Sequence, residues 1–202
     1  MNIIKRPVMF LASRWWLVLG VALVNVASFL ILFSLEGRFE HITGQPVYDT
    51  QNDLTTSTLL EQLPLYEGEG RDAYNLFALY DFVFPFVAAL FVAVTLTWLL
   101  SKNTFPIAQK LHQWNVPLLT FIVTIFDWLE NISILTVISY GATAPQFWLD
   151  NAILFKRLKL ITLNISFASM GLALGFLVVN LLYRRIGSKA ILLENNPIEG
   201  NS

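Results

Sequence analysis

Four long stretches of apolar residues alternate with shorter polar segments along the chain. They cover about residues 15–35, 76–100, 116–138 and 158–183. Each is long enough for a helix that crosses the hydrocarbon core of a bilayer, which takes about 20 residues. The pattern therefore predicts an all-α integral membrane protein: a four-helix bundle with four transmembrane helices, formed by residues 1–202 as a single domain.

The composition supports this interpretation. Of 202 residues, 55% are hydrophobic and 13% are charged, and the mean hydropathy is +0.60, whereas a soluble domain carries about 25% charged residues. The absence of cysteine excludes disulfides and thiolate metal sites. With only two histidines, no metal site or cofactor is expected, and the lack of a basic stripe predicts no nucleic-acid partner.

The distribution of charge predicts how the four helices are oriented. Basic residues occur before the first apolar stretch, in the connection 101–113 and after the fourth stretch. Residues 36–75 hold eight of the fourteen acidic residues and only two basic ones. Because basic loops stay cytoplasmic, we expect cytoplasmic N and C termini and an acidic extracytoplasmic loop at 36–75. The compact size and the lack of organelle signals favour a bacterial inner (plasma) membrane.

The third apolar stretch carries polar side chains that lipid would not tolerate. Asp127 and Asn131 are one helical turn apart, and Glu130 lies beside them. An ionisable group near the bilayer centre costs about 2.5–3.5 kcal/mol on insertion scales. One acid would be enough to hold two helices together, so two acids in one turn indicate a functional site. Asp127 and Glu130 are therefore candidate catalytic residues, supported by Asn131.

The second apolar stretch adds a third candidate acid. Asp81 lies inside it, and Pro85 follows four residues later. Since proline has no N–H, the helix should kink here and leave the Asp81 carbonyl without its partner. We expect Asp81 to join Asp127 and Glu130 in one buried carboxylate and amide cluster.

The fourth stretch begins with basic residues on the side where they are not expected. Lys156, Arg157 and Lys159 break the positive-inside tendency. Neutralisation of the buried acids would explain the exception, so Arg157 and Lys159 are predicted charge partners, with Asn164 as a second supporting amide. The predicted result is a polar cavity that opens at the extracytoplasmic side.

The same helix carries two glycines at a spacing of four residues. Gly171 and Gly175 share a face with Asn164, and this spacing permits close approach of another helix. A neighbouring helix is therefore expected on this face.

Three function classes fit these features. The small size and the lack of an enzyme motif favour an accessory or assembly membrane protein whose acids orient partner helices. A membrane-embedded enzyme could use the carboxyls for acid/base chemistry on an isoprenoid or sterol-like substrate. A proton- or cation-coupled transporter is the third class. The candidate partners are the lipid bilayer, a lipidic ligand, and a homo-oligomer or a larger membrane complex.

Overall fold

A computed structural model describes the backbone of residues 2–194 and the side chains of residues 3–183. Within these residues the chain is helical and contains no β-strand. The α-helices are α1 (Asn2–Leu11), α2 (Trp15–Thr43), α3 (Thr56–Glu61), α4 (Gly68–Asp81), α5 (Phe84–Lys102), α6 (Pro106–Gln113), α7 (Phe121–Tyr140) and α8 (Gln146–Glu194). Short 3-10 turns cover Tyr48–Thr50, Leu63–Tyr66, Val116–Thr120 and Gly141–Thr143.

Four helical segments are long and apolar enough to cross a membrane, as the sequence predicts. They are Trp15–Thr43, Gly68–Lys102, Val116–Thr143 and Gln146–Tyr183. Each of these four segments is helical beyond its predicted bounds at one end or both.

The loop that follows α2 is shorter than the sequence suggested. Helix α2 continues to Thr43 and stops at Gly44, whose φ of 74° is left-handed and suits a residue without a Cβ. Helix α4 begins at Gly68, so only residues 44–67, here called the loop 44–67, connect the two helices. Helix α8 likewise begins at Gln146, directly after Pro145, rather than near residue 158.

The predicted kink lies just before Pro85, where Phe82 and Val83 interrupt the regular helix while their backbone stays in the right-handed helical region. Helix α4 ends at Asp81, and α5 starts at Phe84 with Pro85 in its first turn. Two side chains of α7 donate hydrogen bonds to backbone carbonyls next to this interruption. The Trp128 indole N–H donates to the Phe82 carbonyl (2.8 Å), and the Thr124 hydroxyl donates to the Pro85 carbonyl (3.0 Å). The interruption is therefore held by hydrogen bonds from a neighbouring helix.

The four long segments do not form a fully closed bundle. Helix α2 packs against α4 and α5, while α7 packs against α8, and α5 contacts both α7 and α8. Over residues 2–194 there is no extensive packing between α2 and α8. A gap between these two helices follows from this arrangement.

The loop 44–67 folds down onto one end of the bundle, here called the loop end. The rings of Tyr48 and Tyr66 stack with centroids 4.2 Å apart. The Tyr48 N–H donates to the Tyr66 hydroxyl (2.8 Å), and the Tyr48 hydroxyl donates to the Leu59 carbonyl (2.6 Å). Burial raises the pKa of each of the two phenols well above the usual value for tyrosine. These tyrosines are therefore neutral, and they build an apolar core under the loop with Phe39, Leu59, Tyr74 and Phe77.

Candidate functional site

The polar face of α7 points into the protein. Asp127, Glu130 and Asn131 are all buried, and Glu130 is 0% exposed. They lie within about one turn of the helix, as their spacing predicts. Two carboxyls thus enter the interior from one short segment of α7.

Lys159 of α8 joins both of these carboxyls. Its Nζ lies 2.6 Å from Oδ1 of Asp127 and 2.7 Å from Oε2 of Glu130. Lys159 is itself largely buried, with 14% of its side chain exposed. The two ion pairs therefore connect α7 to α8 away from bulk solvent, where breaking one partner is costly.

Lys156, one turn before Lys159, connects the cluster to the loop 44–67. Its Nζ lies 3.2 Å from Oε1 of Glu130 and donates to the backbone carbonyls of Tyr48 and Asp49, each at 2.9 Å. An ammonium has three N–H donors, and each of the Lys156 donors has an acceptor. Lys156 therefore fastens the loop to α7 and α8.

Asp81, at the end of α4, reaches the same site. Its Oδ2 accepts a hydrogen bond from Nδ2 of Asn131 at 2.8 Å, and the same amide lies 3.4 Å from Oδ2 of Asp127. Asn131 therefore bridges two carboxyls from different helices. Asp81 is only 5% exposed, yet among the described residues no lysine or arginine nitrogen forms an ion pair with it.

Asp49 brings a fourth carboxyl from the loop. Its Oδ2 accepts from the Tyr74 hydroxyl at 3.1 Å, and its Oδ1 is buried without a hydrogen-bond partner among the described residues. Burial raises the pKa of Asp49 to about 6, and the charge of Glu130 adds to this effect while Lys159 and Lys156 oppose it. Asp49 therefore changes its charge near neutral pH.

Together these six side chains form what we call the ionic cluster: Asp49, Asp81, Asp127, Glu130, Lys156 and Lys159. It holds four carboxyls and two ammonium groups. No group of three or more His, Asp or Glu side chains in the described part of the chain is arranged to hold a metal ion. The chemistry available at the cluster is hydrogen bonding, charge pairing and proton transfer.

The ionic cluster lies at one end of a cavity of about 400 Å³, here called the cleft. This volume is within the range of sites for small molecules. The polar end of the cleft is formed by Asp49, Asp81, Asp127 and Lys159. Its walls are mainly apolar, and they include Phe29, Leu32, Phe77, Phe84, Ala88, Phe91, Val92, Val123, Leu163 and Phe167.

The cleft coincides with the gap between α2 and α8. Phe29 of α2 and Phe167 of α8 both line it, and they are 51% and 48% exposed. Both helices thus contribute a half-exposed ring to the wall of the cleft, and from this we infer that the cleft opens sideways, between the two helices. At the loop end, Asp49 and Thr50 of the loop 44–67 also line the cleft. The predicted opening at the extracytoplasmic side therefore stays a prediction.

The predicted site residues divide into two groups in the structure. Asp81, Asp127, Glu130, Asn131 and Lys159 come together as described above. The side chains of Arg157 and Asn164 are exposed on another face of α8 and take no part in the cluster. The reason is helix geometry: Lys156 and Lys159 are three residues apart and share a face, whereas Arg157 is rotated by about 100° from Lys156.

The expected helix contact at Gly171 and Gly175 is also not made within the described chain. Both glycines are exposed, and no atom lies within 4 Å of a Cβ built on either one. They lie on the same outward face of α8 as Asn164. At these two glycines no other helix of the described residues is in contact.

Sequence reasoning missed two members of the cluster. Lys156 is recognisable afterwards from its three-residue spacing to Lys159, which places both lysines on the inner face of α8. Asp49 carries no such signal, because it lies in a polar segment with many acids and reaches the site only through the fold of the loop 44–67.

The chain matches no protein-family model, and it has no significant match among curated proteins or among solved structures. The site is therefore interpreted from its own residues.

Proposed function

We propose that this protein spans a membrane four times, with both termini in the cytoplasm, and binds an amphipathic, lipidic ligand in the cleft. A bacterial plasma membrane is the proposed location. The observation that carries this proposal is the composition of the cleft, whose walls are apolar and whose loop end is ionic. A molecule with an apolar body and a polar head matches both parts.

The position of the opening supports a ligand that comes from the bilayer. With the four long segments in a membrane, the gap between α2 and α8 faces lipid. Phe29 and Phe167 at its edges offer apolar contact to an entering chain. A lipidic molecule could therefore enter without crossing water, while a polar solute would have to cross hydrocarbon to reach the same opening.

The cleft favours ligand binding over an accessory role and over transport. Polar groups that serve only as adhesion between helices are enclosed by the packing that they stabilise, but Asp49 and Asp81 face a cavity. A transported ion would also need polar groups along its route. Beyond the ionic cluster, four uncharged polar residues line the cleft (Asn25, Thr50, Thr120 and Ser166), and the rest of its walls are apolar.

A second candidate function is acid/base chemistry on the bound ligand. It is favoured by the bridge from Asp81 through Asn131 to Asp127 at the wall of the cleft. Among the described residues no lysine pairs with Asp81, which is the proposed proton donor. Asp127 is paired with Lys159 and is the carboxylate that would stabilise positive charge on the ligand.

Co-purification tests the binding proposal. We expect native mass spectrometry of the protein in mild detergent to show a bound lipidic molecule. Ala88 lines the cleft and Ala168 is exposed on α8, so Ala88→Phe fills the cavity and Ala168→Phe is its matched control. Occupancy should fall about tenfold or more in Ala88→Phe and stay unchanged in Ala168→Phe. No bound molecule in the parent, or equal occupancy in both variants, would contradict the proposal.

Solvent exchange tests the enzyme candidate separately. If a carbon atom of the ligand is reversibly protonated, incubation of the loaded protein in D₂O should place deuterium in the ligand. Asp81→Asn should lose the exchange even at ligand concentrations that saturate the variant. Equal incorporation in parent and Asp81→Asn would show that Asp81 is not the donor.

A further inference from the structure

The charges around the cleft indicate which polar head it accepts. Both lysines of the ionic cluster are already engaged. Lys156 uses its donors on Glu130 and two backbone carbonyls, and Lys159 pairs with Asp127 and Glu130. Glu130 and Asp127 therefore have cationic partners from the protein itself.

The other two carboxyls of the cluster have only neutral donors. Asp81 accepts from the Asn131 amide and Asp49 from the Tyr74 hydroxyl. Among the described residues no ammonium or guanidinium nitrogen lies within 4.0 Å of either carboxyl. Both residues line the cleft, Asp81 is 5% exposed, and Oδ1 of Asp49 is buried without a partner. An ionised carboxyl offers only acceptors, so the unused hydrogen-bonding capacity of these two groups suits a donor, and Asp81 lies at the wall of the cleft where a ligand can supply one.

We propose that the preferred ligand carries a protonated amine and no phosphate, as a long-chain alkylamine does. This inference rests on the proposed function, because it specifies the head group of the same cleft. An ammonium supplies the N–H donors and the positive charge that Asp49 and Asp81 lack. The apolar chain then lies along Phe29, Phe84 and Phe91.

Other head groups fit less well for electrostatic reasons. A carboxylate or phosphate would place negative charge beside Asp49 and Asp81, and the one lysine at the cleft is already paired twice. A hydroxyl can donate one hydrogen bond but brings no charge. Because an ammonium adds Coulomb attraction and further N–H donors to the hydrogen bond that a hydroxyl could also make, we expect the order amine, alcohol, carboxylate.

Three probes with one chain length test this order: decylamine, decanol and decanoate. Binding to the detergent-solubilised parent is measured as the shift in melting temperature across a concentration series, with competition by native mass spectrometry. Decylamine should bind about tenfold more tightly than decanol, and decanoate should bind most weakly. Decanol binding as tightly as decylamine to the parent would overturn the inference without the use of any variant.

Variants assign the preference to the two carboxyls. Asp81→Asn and Asp49→Asn should each reduce the affinity for decylamine about tenfold and leave decanol unchanged. Asp72→Asn is the matched control, because Asp72 is an exposed carboxyl on the same helix as Asp81. An equal loss for Asp72→Asn would mean that decylamine responds only to the overall charge of the protein, which would also overturn the inference.

The same measurements distinguish a failure of the predicted amine preference from a failure of the binding proposal. If decanol and decylamine bind equally and Ala88→Phe abolishes both, the cleft binds amphiphiles without selecting an amine. If none of the three probes binds, or if Ala88→Phe changes nothing, the binding proposal itself fails.

Discussion

The ammonium of Lys159 lies 2.6 Å from Oδ1 of Asp127, and this contact joins α8 to α7 in the interior of the protein. The same ammonium is 2.7 Å from Oε2 of Glu130. One cation thus compensates two acids that a single turn of α7 brings inside. Asp127 also lines the cleft, so this pair is both a helix contact and part of the proposed binding site.

Removal of this cation should destabilise the protein strongly. Lys159→Met leaves Asp127 without a cation and Glu130 with Lys156 alone. Loss of one partner of a buried pair costs about 3–5 kcal/mol, and we expect a decrease of this size in the apparent free energy of unfolding, measured by denaturant titration in detergent. Arg157→Met, on the exposed face, should change it by less than about 0.5 kcal/mol. Equal effects of the two substitutions would contradict the assignment of Lys159 as the buried partner.

Lys156 should control the opening of the loop 44–67. Lys156→Met removes the hydrogen bonds to the carbonyls of Tyr48 and Asp49. Hydrogen bonds to a charged group contribute about 1.5–3 kcal/mol, so amide hydrogen exchange in the loop should accelerate about tenfold or more. Arg157→Met again provides the control. Unchanged exchange in the loop 44–67 of Lys156→Met would show that the aromatic core alone holds it.

Asp49 should make stability depend on pH in the mildly acidic range. Burial raises its pKa from 3.8 to about 6, so the folded state favours the protonated form. The stability that this group contributes is present below its ordinary pKa and is lost as pH rises through about 6. The melting temperature of the parent should therefore fall relative to that of Asp49→Asn between about pH 4 and about pH 6, and the difference should level off at higher pH.

Asp53→Asn is the control for this measurement, since Asp53 is an exposed carboxyl in the same loop. Its melting temperature relative to the parent should not change with pH. A constant difference between the parent and Asp49→Asn across the range would mean that Asp49 titrates as an exposed acid.

The proposed orientation can be tested by labelling of single cysteines, because the chain has none. Gln45 lies in the loop 44–67 and Gln109 in α6, and both are exposed. In intact cells a membrane-impermeant maleimide should label Gln45→Cys, while Gln109→Cys should react only after permeabilisation. Labelling of both positions from the same side would contradict the four-span topology.

The sequence by itself determined the helical segments, because each depends on residues close together in the chain. Long apolar runs produce the four segments, and Gly44 and Pro145 bound two of them. Pro85 interrupts the second segment next to Asp81 because a missing N–H acts locally. The inward face of α7 could be predicted for the same reason, since leaving Asp127 and Glu130 in lipid would be too costly whatever the neighbouring helices are.

Only the tertiary structure decided which cations meet these acids. Lys156, Arg157 and Lys159 all carry a positive charge and lie within one helical turn of each other. Because each residue is rotated by about 100° from the one before, Lys156 and Lys159 share a face and Arg157 lies on a different one. Which face turns inward depends on how α8 packs against α7. The same packing leaves Asn164 outside the site.

The cleft is likewise a property of the assembled helices. It exists because α2 packs against α4 and α5 and leaves a gap beside α8, and no local pattern encodes a gap between segments so far apart in the chain. Asp49 reaches the ionic cluster because the loop 44–67 folds back over buried tyrosines and is bonded by Lys156. Asp49 belongs to the site because residues far apart in the sequence contact each other. Such contacts cannot be read from the periodicity of the sequence.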